Sequence, residues 1–107
     1  MSIQLDNPFA NLLTHSDSIT RDELIRALRY MVSAEYDAAG LYERLSEVLP
    51  PEYKFMKSVL IDIANEELVH VGEFMELISR VSDSEFGYYD DGMNEVSSML
   101  DNNIEST

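Results

Sequence analysis

Two segments of the chain repeat apolar residues in alternating steps of four and three, and both repeats are interrupted by polar side chains. This spacing is typical of helices that pack along one face. The interruptions are Glu35 in the first segment and Glu67 and His70 in the second. Because an unpaired buried carboxylate is costly, the pattern predicts that these side chains share a cation. The first stripe is Leu24, Leu28, Met31, Glu35, Ala38, Tyr42, Leu45 and Leu49, and the second is Met56, Leu60, Ile63, Glu67, His70, Phe74, Leu77 and Val81.

Local signals predict where the first helix begins and ends. Thr20 is followed three residues later by Glu23, which is the capping-box signature of a helix start. Pro50 disfavours helical backbone in the residue before it, so the helix is expected to end near Leu49.

The second helix is expected to begin near Pro51 or Glu52, because proline suits the first turn of a helix, and to continue to about Val81. Each helix has about 30 residues and is therefore about 45 Å long. The short turn between them predicts antiparallel neighbours.

The whole chain is expected to be all-α, with three segments. Residues 1–19 are interpreted as an irregular N-terminal arm, residues 20–82 as the helical hairpin, and residues 83–107 as an acidic segment with a short helix from about Tyr89 to Leu100. An isolated hairpin leaves part of each amphipathic stripe exposed to water. We therefore expect dimerisation of two hairpins into a four-helix bundle, and a higher homo-oligomer built from such dimers.

Composition restricts the class of function. The 107 residues include 21 acidic and 7 basic residues, a formal net charge of −14. Such a charge disfavours binding to nucleic acid or to anionic membranes. The absence of cysteine excludes disulfides, thiolate zinc sites and iron–sulfur clusters. The N-terminus has no secretory-signal pattern and no stretch is apolar enough to cross a bilayer, so a cytoplasmic location is expected.

The polar interruptions have the spacing of a metal site. Glu67 and His70 are three residues apart, which places both on one helix face. Glu35 lies 15 residues before Pro50 and Glu67 lies 16 residues after Pro51, so an antiparallel hairpin brings them to the same height. Carboxylates with an imidazole favour iron, manganese or zinc. One Glu with one Glu-x-x-His is half of the ligand set of a di-iron bundle, which a twofold dimer would complete.

Three further residues flank the three candidate ligands. Tyr42, one heptad after Glu35, is equally consistent with a hydrogen bond to a ligand or to a bound oxygen species and with simple core packing. Glu66 and Glu73 are equally consistent with support of the ligands or admission of cations and with a solvated helix flank.

The chain resembles the ferritin-like superfamily over about residues 20–82. The positions that carry this resemblance are Glu35, Tyr42 and the Glu67-x-x-His70 pair. It is most similar to the short single-hairpin ferritins of the encapsulated type and to rubrerythrin-like proteins. The resemblance implies that Glu35, Glu67 and His70 are both the iron ligands and the catalytic residues, and that Fe(II) is oxidised by dioxygen or peroxide. The chain departs from the family in having half of a site, no rubredoxin cysteines, Leu41 where encapsulated ferritins have an aromatic residue, and no clear encapsulin-docking tail.

The leading hypothesis is thus a ferroxidase with a di-iron site between two subunits, serving iron storage or detoxification. One alternative is a rubrerythrin-like peroxide reductase or a di-manganese protein. Another is a non-enzymatic acidic protein whose helices only dimerise. Storage also needs a compartment, either a ring or cage of the chain itself or an encapsulin or other shell around it.

Overall fold

The computed structural model describes residues 17–106, with side chains described as far as residue 102. The predicted arm of residues 1–19 lies largely outside this range. The elements are helix α1 (Arg21–Glu47), a 3₁₀ helix (Pro51–Met56), helix α2 (Lys57–Val81) and helix α3 (Asp83–Ser106). The described part of the chain contains no strand, and the all-α class is confirmed.

Helix α1 begins at the predicted capping box. The Glu23 backbone N–H donates to Thr20 Oγ1 at 3.1 Å, and the Thr20 backbone N–H donates to Glu23 Oε1 at 2.9 Å. Both bonds satisfy N–H groups that have no partner inside the helix. The helix ends at Glu47, two residues before the predicted limit, where the Val48 N–H bonds to the Leu45 carbonyl at 3.2 Å.

Contrary to the sequence prediction, the second helix does not begin as an α-helix near Pro51 or Glu52. Pro51–Met56 forms a 3₁₀ helix, in which the Tyr53 N–H donates to the Pro50 carbonyl at 2.9 Å. The α-helical geometry of α2 starts only at Lys57. At the far end of the hairpin, Arg21 Nη2 donates to the Val81 carbonyl at 2.8 Å. The start of α1 thus satisfies a carbonyl at the end of α2, as antiparallel helices allow.

The contact between α1 and α2 uses only half of each predicted stripe. Several stripe positions are exposed, including Leu45 and Leu77 at 44% and 51%. On each helix the residue that follows such a position is buried instead, because one residue turns the helix by about 100°. The buried apolar residues of the described chain are Ile25, Ala27, Leu28, Ala39, Ala64, Val71 and Ile78.

The C-terminal helix is longer than predicted. Helix α3 covers Asp83–Ser106, or 24 residues, so the expectation of a short helix from Tyr89 to Leu100 was wrong in extent. It follows α2 after the single residue Ser82, and its first turn carries Asp83 and Glu85. Acidic side chains there stabilise the positive end of the helix dipole. The sequence from Ser82 to Glu85 has the Ser-x-x-Glu spacing of a helix start, but the Glu85 side chain bonds to Arg29 and Tyr89 rather than back to Ser82.

The described part of the chain is extended. Its radius of gyration is 18.8 Å, whereas a compact domain of this length has about 13 Å. The extents are 50 × 50 × 27 Å because α3 projects from the hairpin. Within the described residues, no helix combines the length and apolar character needed to span a membrane.

Candidate metal centre

Glu35 of α1 and Glu67 and His70 of α2 lie together at mid-height of the hairpin. Their nearest ligand atoms are all within 4.8 Å of one another. His70 Nδ1 is 3.3 Å from Glu67 Oε2 and 3.5 Å from Glu35 Oε2. The structure thus brings together the three residues that the spacing about Pro50-Pro51 singles out. Their binding of a metal stays a prediction.

The two carboxylates are more enclosed than the imidazole. The Glu35 and Glu67 side chains are 20% and 16% exposed, and that of His70 is 44% exposed. The carboxylates belong to the contact between α1 and α2, where water access is reduced. His70 lies at the edge of that contact, so one side of the cluster opens outward.

The donor set and its spacing fit a divalent cation of the first transition row. Such an ion lies about 2.0–2.2 Å from carboxylate oxygen and imidazole nitrogen, which sets neighbouring ligand atoms about 3 to 3.5 Å apart. The distances from His70 Nδ1 to the two carboxylates match this range. Hard oxygen donors with one imidazole suit iron, manganese and zinc. Three ligands leave other coordination positions free.

The open side of the cluster belongs to a broad apolar surface, which we call the bundle face. The buried residues of α1 and α2 form the line along which the two helices touch, which we call the contact line. In an antiparallel pair, the residues one position before this line on either helix lie on the same side of the pair. His70 is such a residue, and Glu35 and Glu67 lie directly beneath this side. The other members are the outward half of the two stripes: Leu24, Met31, Ala38, Leu45, Met56, Ile63 and Leu77.

The flanking residues named from the sequence are not drawn into the cluster. Tyr42 is half-buried, and Glu66 and Glu73 are exposed on α2. Within residues 17–102, no other group of three His, Asp or Glu side chains has the spacing of a metal site. A supporting or cation-admitting role for these three residues stays a prediction.

A second ionic cluster, which sequence reasoning missed, joins α1 to α3. Arg29 Nε donates to both carboxylate oxygens of Glu85 at 3.1 Å, and Arg29 Nη2 donates to Oε1 at 2.5 Å. The Tyr89 hydroxyl donates to Glu85 Oε2. The Glu85 side chain is only 7% exposed. This cluster fixes the root of α3 against the hairpin, on the side opposite the bundle face.

The ionic cluster shifts the proton affinities of its members. The hydrogen bonds from Arg29 lower the pKa of Glu85 below its ordinary 4.5, against a smaller opposing effect of burial. The hydrogen bond to Glu85 raises the pKa of Tyr89, and burial adds to the rise. The same carboxylate raises the pKa of Arg29. A lone Glu in a helix start gives no sequence signal of an arginine 56 residues away.

An antiparallel helical hairpin with a carboxylate–histidine cluster at mid-height defines the ferritin-like class of proteins. Comparison with solved structures supports a narrower assignment. The encapsulated ferritin domain from Pyrococcus furiosus matches with a TM-score of 0.72 and 33% identity, covering 82% of this chain and 88% of that domain. The chain belongs to the encapsulated-ferritin family of ferritin-like proteins.

Two curated proteins are also similar. The Pyrococcus furiosus ferritin-like-encapsulin shell fusion protein is 34% identical over 85 residues, or 79% of this chain and 24% of that protein. The Myxococcus xanthus encapsulin nanocompartment cargo protein EncC is 33% identical over 75 residues, or 70% of this chain and 55% of that protein. The chain thus spans about a quarter of one relative and about half of the other. No protein-family model matches it.

Proposed function

We propose that this chain is a ferroxidase that oxidises Fe(II) at a di-iron site formed between two copies. The observation that carries the proposal is the Glu35, Glu67 and His70 cluster, whose ligand atoms lie within 4.8 Å of one another beneath an exposed apolar face. The membership in the encapsulated-ferritin family supports it. Iron is the substrate in this reaction, so the residues bind it and release the oxidised product.

The residues of the cluster have separate tasks in this reaction. Glu35 and Glu67 offer hard anionic oxygens that favour Fe(III) still more than Fe(II), and His70 supplies a neutral nitrogen. Two Fe(II) ions deliver two electrons. Together with two protons, these reduce dioxygen to hydrogen peroxide or reduce hydrogen peroxide to two waters. The net charge of −14 raises the local concentration of the cationic substrate.

A second copy supplies the missing half of the ligands. A twofold axis beside His70 doubles one Glu and one Glu-x-x-His into four carboxylates and two imidazoles, the set used by di-iron bundles. The bundle face supports this arrangement, because Leu45 and Leu77 are 44% and 51% exposed there. Pairing would bury these side chains and enclose the cluster from the open side.

Storage of the product is proposed to take place inside an encapsulin shell. One relative is described as an encapsulin nanocompartment cargo protein, and the other as fused to an encapsulin shell. A small dimer has no cavity for a mineral, so oxidised iron needs a surrounding compartment. The shell would provide that volume, and the chain would provide the oxidation.

Oxygen uptake after addition of Fe(II) tests the proposal. The double variant Glu67→Ala with His70→Ala is expected to lose iron-dependent uptake, because only one of the three ligands remains in each copy. Asp62→Ala, an exposed acidic residue of the same helix, is the matched control and should keep the wild-type rate. Glu67→Gln, checked for helix content by circular dichroism, separates the loss of a ligand from loss of fold.

Undiminished uptake in the folded double variant would contradict the proposal. Stopped-flow measurements with dioxygen and with hydrogen peroxide as the only oxidant then identify the preferred electron acceptor. A protein that oxidises Fe(II) with peroxide alone would instead support the rubrerythrin-like alternative.

A further inference from the structure

Met31 lies on the bundle face, one helical turn before the candidate ligand Glu35 on α1. Residues four positions apart on a helix have Cβ atoms about 5–6 Å apart. Helical side chains also lean towards the N-terminus of their helix, so the Glu35 side chain is directed towards the turn that carries Met31. The Met31 side chain is half-buried, and part of it is therefore open to a small molecule at the cluster.

Met31 also borders the open side of the cluster. Because the helices are antiparallel and Glu35 is level with Glu67, the turn before Glu35 is level with the turn after Glu67. His70 belongs to that turn, so it lies at nearly the height of Met31. Both residues are members of the bundle face. The cluster thus opens between an imidazole on α2 and a thioether on α1.

A thioether in this place lies next to the oxidant that the proposed reaction forms. Two electrons from Fe(II) and two protons convert dioxygen to hydrogen peroxide. The methionine sulfur attacks one peroxide oxygen, the O–O bond breaks, and the new S–O bond forms. The second peroxide oxygen leaves as water with both protons. Sulfur loses two electrons and peroxide gains two, so the step needs no other reductant or oxidant.

Three other methionines show what distinguishes Met31. Met93 and Met99 are 63% and 60% exposed on α3, far from the cluster along the chain. Met75 is half-buried, as Met31 is, but it lies on the opposite side of the hairpin, where it lines a cavity between the three helices. Exposure would favour oxidation of Met93 and Met99, and burial does not separate Met31 from Met75. The position beside the cluster is what sets Met31 apart from these three.

We propose that Met31 is an oxidation site, which captures hydrogen peroxide leaving the proposed ferroxidase site and becomes methionine sulfoxide. The inference rests on the proposed function, which supplies the peroxide. Capture at this point removes peroxide beside the ligands Glu35 and His70, before it meets further Fe(II). Methionine sulfoxide reductases restore the thioether, so the site can be used again.

Peptide mass spectrometry after iron oxidation tests the inference. Fe(II) is added repeatedly to the aerated protein in the presence of catalase, and oxygen uptake is recorded in the same sample. Met31 should be oxidised about tenfold more than Met75, because an oxidant formed one helical turn away acts at a high effective concentration. Met93 and Met99 should stay reduced, since catalase destroys the peroxide that reaches the solution.

Two further reactions identify the source of the oxidant. Hydrogen peroxide added to the iron-free protein should reverse the order, so that the exposed Met93 and Met99 are oxidised before Met31 and Met75. The double variant Glu67→Ala with His70→Ala is given Fe(II) and catalase as the wild type is. Its Met31 should be oxidised no more than its Met75.

The outcomes separate this inference from the proposed function. Oxygen uptake by the wild type without preferential oxidation of Met31 would overturn the inference and leave the proposed ferroxidase site standing. Equal oxidation of Met31 in the wild type and the double variant would also overturn it, because the peroxide would then come from solution. Absence of iron-dependent uptake in the wild type would contradict the proposed function, and the inference would fall with it.

Discussion

At the scale of single residues, the acidic side chains fall into two kinds according to their burial and the group that each one faces. Glu67 faces the imidazole of His70 at 3.3 Å, and both side chains belong to the candidate metal site. Glu85 faces a guanidinium that holds its charge permanently, so its oxygens are committed to Arg29 and Tyr89. The same residue type therefore serves a candidate metal site in one case and a structural joint in the other.

The cluster of Arg29, Glu85 and Tyr89, which we call the joint, predicts that the free energy of unfolding depends on pH. Because the pKa of Glu85 is lowered on folding, its contribution is present above about pH 4.5 and is lost as the pH falls towards the folded-state value. At pH 7, Glu85→Gln should lower the free energy of unfolding by about 1–2 kcal/mol, and the difference from wild type should shrink below pH 4.5. Thermal unfolding followed by circular dichroism measures both effects.

The pair of Arg80 and Glu76 provides the matched control for Glu85. It is a closely spaced ion pair at 2.7 Å, but both side chains are largely exposed. Glu76→Gln should therefore leave the free energy of unfolding nearly unchanged, because solvent screens an exposed ion pair. An equal loss for both variants would argue against a special role of the buried joint.

At the scale of the helices, side-chain size distinguishes the hairpin contact from the outer surface. The contact line contains small residues, with Ala39 and Ala64 only 3% and 1% exposed, which lets the helices approach closely. Gly40 and Gly72, by contrast, lie outside it. A Cβ built at either glycine meets no atom within 4 Å, so neither is required for the packing of α1 on α2.

Two substitutions on α2 test this distinction. Gly72→Ala should raise the free energy of unfolding by about 0.5–1 kcal/mol, because alanine has the higher helix propensity and meets no obstacle. Ala64→Leu should lower it by about 1–3 kcal/mol by overfilling the contact line. Urea denaturation gives both values. A destabilising Gly72→Ala would indicate that another copy packs closely against that side.

At the scale of the whole molecule, the described part of the chain buries few large apolar side chains. Only seven apolar residues are buried in the described part, and three of them are alanine. The radius of gyration of 18.8 Å also exceeds the roughly 13 Å of a compact domain. These properties support the proposal that a second copy completes the core.

A charge on the bundle face should prevent pairing of hairpins. Ile63→Asp introduces a carboxylate at a 36% exposed position of that face, so sedimentation equilibrium should show a smaller species and Fe(II) oxidation should fall at least tenfold. Leu68→Asp, at a 46% exposed position on the opposite side of α2, is the control and should keep the active pair. Retention of activity by a monomeric Ile63→Asp protein would rule out a site shared between copies.

Local patterns in the sequence determined much of this protein. The heptad steps, the Thr20–Glu23 capping box and the proline pair predicted the hairpin, and counting from Pro50-Pro51 placed the three candidate ligands at one height. Such features depend on neighbours within a few residues or on the rigid rise of a helix, so spacing alone reveals them.

The tertiary structure decided the features that depend on contacts between distant residues. It determined which half of each stripe faces the other helix, because a heptad repeat marks an apolar face but does not fix the exact rotation of that face toward its neighbour. It also determined the course of α3, since the bond between Arg29 and Glu85 joins positions 56 residues apart. That bond sends an amphipathic helix away from its own hairpin, and the sequence pattern contains no signal of that direction.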